Sequence, residues 1–214
     1  MGSRFVWFKT GGAPAEYARL MKRRPILVVL AALLLGAAAV DPGRGSVTYT
    51  PAGDLVFPRA YRDWAFVSAG LGMSYSGTGG GTAMGPMFDN VFVPRAALAA
   101  FRATGTWPDG TIFVKEVRGS GQHVSINKAG SFQTNLMGFD VEVKDAKYPE
   151  VWRYYGFEPG AADAEATAHA LPRDAGCYAC HEKNAAVEHT FVQFYPTLWP
   201  IAKAKGTVNA GYRP

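Results

Sequence analysis

Cys177-Tyr178-Ala179-Cys180-His181 holds the chain's only two cysteines, two residues apart and followed at once by a histidine. That spacing is the c-type haem attachment pattern. Two thiols add across the two haem vinyl groups, and the two residues between them set their reach. The next residue, His181, can then offer an imidazole nitrogen to the iron. A short-loop disulfide or a thioredoxin-like redox pair is the plainer alternative. A redox pair would open a helix after a strand, early in a βαβ unit. Here the pair lies near the C-terminus, after the Pro172–Gly176 loop. A zinc site would need a second ligand pair, and no further cysteine exists.

The compartment suits haem attachment. Lys22-Arg23-Arg24 precedes an apolar run from Ile26 to Leu35, then Ala37-Ala38-Ala39. This is the basic, apolar and small-residue order of a secretory signal peptide. The run is shorter than the roughly 20 apolar residues a spanning helix needs. The expected division is therefore an upstream extension over 1–20, with translation starting at Met21, a signal peptide over 21–39 and a haem domain over 40–214. The mature protein is expected in the periplasm, with an uncleaved anchor as the alternative. Bacterial c-type haem is attached outside the cytoplasm.

Charge excludes one class of partner. Residues 1–39 carry six Lys/Arg and one Glu, which is the whole formal net charge of +5. The remainder is neutral, with sixteen residues of each sign (22 − 6 and 17 − 1). The basic balance therefore gives no case for nucleic acid.

The elements that must position the motif read mostly as strands. Trp64–Val67, Val91–Val93 up to Pro94, Thr111–Val117, Phe139–Lys144 and Val151–Phe157 are rich in aromatic and β-branched residues or alternate with period two. Helices are expected near Tyr61–Trp64, over Arg95–Ala103 after a proline, and over Ala161–Ala170. The tail from Leu198 reads either way. The Gly-rich run Ser76–Gly85 lacks the Lys-Ser/Thr ending of a phosphate loop and reads as a loop between strands. About 175 residues after Ala39 suit one domain.

Lys115 is the second residue with chemistry. Alternation puts Phe113, Lys115 and Val117 on one strand face and Ile112, Val114 and Glu116 on the other. Both faces are largely apolar, so Lys115 either points inward or snorkels to an edge. A desolvated lysine loses charge, and a neutral amine is a nucleophile.

Several segments together resemble the cytochrome P-460 family. They are Leu55–Trp64 (LVFPRAYRDW), Val91–Pro94, Thr104–Glu116 (TGTWPDGTIFVKE), Gly138–Asp145 (GFDVEVKD), the haem motif and Phe191–Leu198 (FVQFYPTL). The resemblance implies an α+β, β-rich single domain. An antiparallel sheet and a few short helices would surround one covalently bound haem c per chain, usually in a homodimer. It implies His181 as the proximal ligand and an open distal iron face. It matches Lys115 to a lysine that enzymatic members bond to the haem edge. Those members oxidise hydroxylamine towards nitrous oxide, with nitric oxide as the other partner or product, and pass electrons to a soluble acceptor cytochrome. Related cytochromes c-prime-beta lack the bond and bind nitric oxide or carbon monoxide. Asp140 falls at an acidic position of the family pattern and is the candidate proton relay. Its residue-level reading is plainer, since Asp140, Glu142 and Lys144 share what looks like the solvated face of an alternating strand. One departure stands out: Asp89 occupies a position where some members carry arginine. Phe88 is a candidate distal aromatic, more simply read as core.

His123, His169 and His189 are weak candidates for a sixth ligand. Met73, Met84, Met87 and Met137 are thioether candidates only for an electron carrier. Three readings thus compete: a haem oxidoreductase, a gas-binding cytochrome and an electron carrier.

Overall fold

The structure, a computed structural model, describes residues 47–74, 81–82, 85–161 and 163–214. They belong to one compact unit, Val40–Pro214. The expected extension and signal peptide lie outside the described residues. So do Met84 and most of the Gly-rich run.

Among the described residues, strands β1 (Leu55–Val56), β2 (Ala65–Leu71), β3 (Gly81–Thr82), β4 (Gly85–Pro86), β5 (Phe88–Val93), β6 (Ile112–Gly121), β7 (Phe132–Lys144), β8 (Trp152–Phe157) and β9 (Thr167–Ala168) are interspersed with three α-helices. These are α1 (Arg95–Thr104), α2 (Gly176–Asn184) and α3 (Trp199–Lys205). Short 3-10 turns span Arg59–Asp63 and Val192–Phe194. The five-stranded sheet has the order β2-β5-β6-β7-β8, and every neighbouring pair is antiparallel. The expected α+β, β-rich class is the observed one.

Each expected strand forms, with boundaries set by local geometry. β5 stops at Pro94, which cannot donate to the ladder and instead precedes α1. α1 ends where Gly105 takes the left-handed conformation (φ 81°) and donates to the Phe101 carbonyl. β8 begins one residue later than expected, because Val151 itself sits at φ 61°, an unusual conformation for a β-branched residue. The ambiguous tail forms α3.

One expectation fails. The Ala161–Ala170 stretch is not helical in its described residues. It makes an isolated bridge between Pro159 and Ala164 and then β9, which pairs with β1. Its Ala/Glu content favours a helix, but its backbone has a better use. The Ala166 carbonyl accepts from Phe57 N–H, and Ala164 is buried in the same apolar cluster as Leu55 and Phe57. Tertiary pairing overrides a weak local propensity.

The sheet is covered on both faces. Ile112, Val114, Phe139, Val141, Val143, Tyr155 and Phe157 pack against Leu55, Phe57 and Tyr61. Burying a Leu or Phe side chain this fully is worth roughly 1.5–3 kcal/mol, so the Leu55–Trp64 segment acts as a clamp over one face. The other face packs Phe113 and Tyr154 against α1, Tyr178 of α2, Tyr195, Leu198 and α3. On that second face the packing leaves a cavity.

Candidate functional site

The cavity has a volume of about 440 Å³ and gathers residues from distant parts of the chain. α2 supplies Cys177, Cys180 and His181, all of which line it. Positions i, i+3 and i+4 share one helix face, so helical geometry alone aims the two thiols and the imidazole together. α2 has no apolar stripe of its own. It is held by Tyr178, whose ring meets Tyr154 edge-on at 4.8 Å and whose hydroxyl donates to the Leu171 carbonyl at 3.3 Å. Both cysteines are free thiols. Burial, reinforced by the charge of Asp140, pushes the Cys177 thiol up from its ordinary value.

His181 is firmly oriented. Its ring lies between Tyr154 at 4.6 Å and Phe191 at 4.5 Å. Its Nδ1 is 2.7 Å from the His189 carbonyl and 3.2 Å from Glu142 Oε2. Burial alone would lower the imidazole pKa, but the Glu142 carboxylate and the His189 carbonyl outweigh it and raise it. A proton on Nδ1 leaves the Nε2 lone pair for a metal, the arrangement metal-bound histidines usually show.

Strands β5, β6 and β7 supply the opposite chemistry. Lys115 and Asp140 are register partners, with Nζ 2.7 Å from Oδ2. Asp89 Oδ1 lies 3.8 Å from the same Nζ. All three line the cavity. Lys115 is 40% exposed and Asp140 64%, so they sit at the rim, whereas Asp89 is 24% exposed. Burial raises the Asp89 carboxyl; Lys115 opposes that shift and the Asp140 charge adds to it.

The structure thus brings together all five sequence-derived candidates: Lys115, Asp140, Cys177, Cys180 and His181. The reading of the β7 polar face as simply solvated needs correction. Asp140 is exposed, but Glu142 and Lys144 are not. Glu142 turns to His181, and Lys144 Nζ donates to the Trp107 carbonyl at 2.7 Å and to Glu188 at 2.8 Å. Polar alternation marked this face correctly but could not say that it covers a cavity rather than facing water.

Sequence reasoning also passed over Glu116, on the opposite face of β6 and 2% exposed. Tyr61 Oη donates to its Oε2 at 2.5 Å, Arg62 lies 2.6 Å from the same oxygen, and Arg118 and Asn90 bond its Oε1. Burial would push this carboxyl up, but the hydrogen bonds from Arg118 and Tyr61 and the two guanidinium charges hold it below its ordinary value.

The other candidates fall away from the cavity or sit on its wall. His123 is exposed, and His169 pairs with Asp54 at the surface. His189 contributes its carbonyl to His181, and its side chain does not line the cavity. Phe88 does not line it either, the aromatic wall coming from Phe113, Phe191, Phe194 and Tyr195. Met73 and Met87 do line it; Met137 does not.

Two thiols and an imidazole on one helix face, against apolar and aromatic walls, fit a covalently tethered haem. Among the described residues no group of three or more His, Cys, Asp and Glu side chains is arranged to hold a bare metal ion. The family model described as cytochrome P460 matches residues 58–192. The chain belongs to the cytochrome P460 family, whose members are redox-active haem proteins, and membership implies a haem c cofactor. No curated protein matches the sequence. Among the described residues no helix is long and apolar enough to cross a membrane.

Proposed function

We propose that this protein is an exported, periplasmic c-type haem oxidoreductase that oxidises hydroxylamine, or a related small nitrogen oxide, towards nitrous oxide and nitric oxide. The observation that carries the reading is the shared cavity. Lys115 and Asp140 line the same space as Cys177, Cys180 and His181. A gas-binding cytochrome needs no lysine there and no carboxylates beside it.

Haem, when bound, supplies an iron that holds the substrate nitrogen and accepts its electrons. The chain's own residues do the rest. Cys177 and Cys180 would tether the group, and His181 would ligate it through Nε2. Lys115 would be bonded through its nitrogen to the haem edge, a link that replaces one amine N–H and one ring C–H, releases two protons and requires a two-electron oxidant, and it would tune the centre. Asp140, at the cavity rim, accepts the protons that must leave with the electrons. Electrons pass on to a soluble acceptor cytochrome, and the protein works as a homodimer.

The test is peptide mass analysis of native protein made with export and haem-attachment machinery. A single species joining the Lys115 peptide, haem and the Cys177–Cys180 peptide is expected, together with hydroxylamine turnover. Freely separating Lys115 and haem peptides, without turnover, would favour the gas-binding reading. Absence of any covalent haem would overturn both. Met73 and Met87 on the cavity wall keep an electron carrier as the third reading.

A further inference from the structure

We propose that Glu142 is a positioning residue for His181, fixing the ligand's ring and lending it negative charge so that strand β7 sets the reduction potential of the centre. The proposal rests on the reading of His181 as the axial ligand.

The geometry starts with a buried oxygen that faces one group. Glu142 is only 12% exposed, and its Oε2 makes an ion-pair contact with His181 Nδ1 without a well-aligned hydrogen bond to any donor. A buried carboxylate is costly unless a cation or donor answers it. The lysines on the same sheet face are committed elsewhere. Lys115 pairs with Asp140 and Asp89, and Lys144 with Glu188 and the Trp107 carbonyl. The group 3.2 Å from Oε2 is His181 Nδ1.

The second acceptor on that nitrogen is built into the fold. The His189 carbonyl sits in a tight turn in which Val187 and Thr190 exchange backbone hydrogen bonds and Glu188 takes φ 51°. Trp107 Nε1 donates to Thr190 Oγ1 at 2.9 Å, and Lys144 holds Glu188. β7 therefore reaches His181 twice, directly through Glu142 and indirectly through Lys144 and the turn. Tyr154 and Phe191 also contact the ring, and the two acceptors at Nδ1 favour the tautomer with its proton there.

The chemical consequence follows from outer-shell control of ligands. A carboxylate 3.2 Å from Nδ1, whose proton faces the His189 carbonyl at 2.7 Å, places negative charge beside the ring and makes the imidazole a stronger donor, which favours the oxidised metal. That is the state to which the proposed substrate binds. A carboxylate whose only role was to neutralise a protonated histidine would lose its purpose once Nε2 carried iron.

The test is a potentiometric titration and a resonance Raman spectrum of the ferrous five-coordinate holoprotein, wild type against Glu142→Gln. The variant is expected to keep full covalent haem loading, to show a higher reduction potential, and to move the iron–histidine stretch to lower frequency. Glu142→Asp keeps the charge but withdraws it by one methylene, so it is expected to shift both readouts in the same direction by less. It carries the test alone if the glutamine variant does not accumulate. A wild-type spectrum without an iron–histidine band would overturn the ligand assignment and this proposal with it. A normal band and potential, unmoved in the variants at full haem loading, would overturn the role of Glu142 alone.

Discussion

Lys115 and Asp140 face each other across antiparallel strands, with Nζ 2.7 Å from Oδ2. The pairing stabilises the ammonium, whereas bond formation to a haem edge needs the free amine. In the proposed enzyme the same carboxylate would restrain the lysine before the bond forms and would be placed to take protons afterwards. Asp140→Asn is therefore expected to have two opposed effects. Crosslinked peptide should accumulate faster after haem attachment, by mass analysis of timed digests. Steady-state hydroxylamine oxidation should fall by about 10²-fold, the scale of losing a positioned general base. Faster crosslinking with unchanged turnover would remove Asp140 from proton transfer.

Asp89 supplies a pH signature. Burial and the nearby Asp140 charge hold its carboxyl above the ordinary carboxylate value, against the pull of Lys115. If the pocket carboxylates must be ionised to accept protons, the acid limb of kcat/KM lies above about 3.9, the free aspartate value. Removing the like charge with Asp140→Asn lowers the Asp89 pKa, so the limb should move to lower pH in that variant. Asp89→Asn should abolish the move. A limb that stays fixed in both variants would assign it to another group.

Glu116 predicts stability rather than catalysis. It is buried, with Tyr61, Arg62, Arg118 and Asn90 around it. Glu116→Ala leaves Arg118 with an unanswered charge and is expected to cost roughly 3–5 kcal/mol in denaturant unfolding. Tyr61→Phe removes one donor and should cost about 1–3 kcal/mol. Because the folded-state pKa is depressed, Glu116 contributes stability above its unfolded pKa near 4.3. That contribution is lost as pH falls through the lower folded value. Glu116→Gln should therefore flatten the acid side of a plot of Tm against pH. A parallel curve, merely displaced, would contradict the shift.

Much of this site was legible because its signals are local. Cys177, Cys180 and His181 announce themselves by spacing, and one helical turn is enough to bring them together. Lys115 was legible through the family resemblance of the segment around it; alternation left open whether it points inward or snorkels to an edge, and the structure puts it at the cavity rim, 40% exposed. Glu142 and Asp89 were not, because their meaning depends on partners far along the chain. An alternating Asp140–Glu142–Lys144 face looks the same whether water or a cavity lies above it. The 161–170 stretch was misread for the same reason. Its composition favours a helix, and only the distant Leu55–Val56 edge explains why its backbone pairs as a strand.

Met73 and Met87 decide between enzyme and electron carrier. Both line the cavity, so a thioether could in principle close the sixth coordination position. The proposed reaction needs that position open. Met73 packs close to Gly70, where an added Cβ would fall 2.2 Å from its sulfur. Its side chain is therefore already used in packing against β2. The native ferric and ferrous proteins should accordingly show five-coordinate high-spin optical spectra. Met73→Ala and Met87→Ala should leave those spectra unchanged, and added nitric oxide should bind the ferrous protein without displacing a protein ligand. A low-spin six-coordinate spectrum that turns high-spin in one of the two variants would identify that methionine as a ligand and make the protein an electron carrier. In that case Lys115→Ala should leave electron exchange with an acceptor cytochrome intact, whereas in the enzyme the same variant should keep its covalent haem and lose hydroxylamine oxidation.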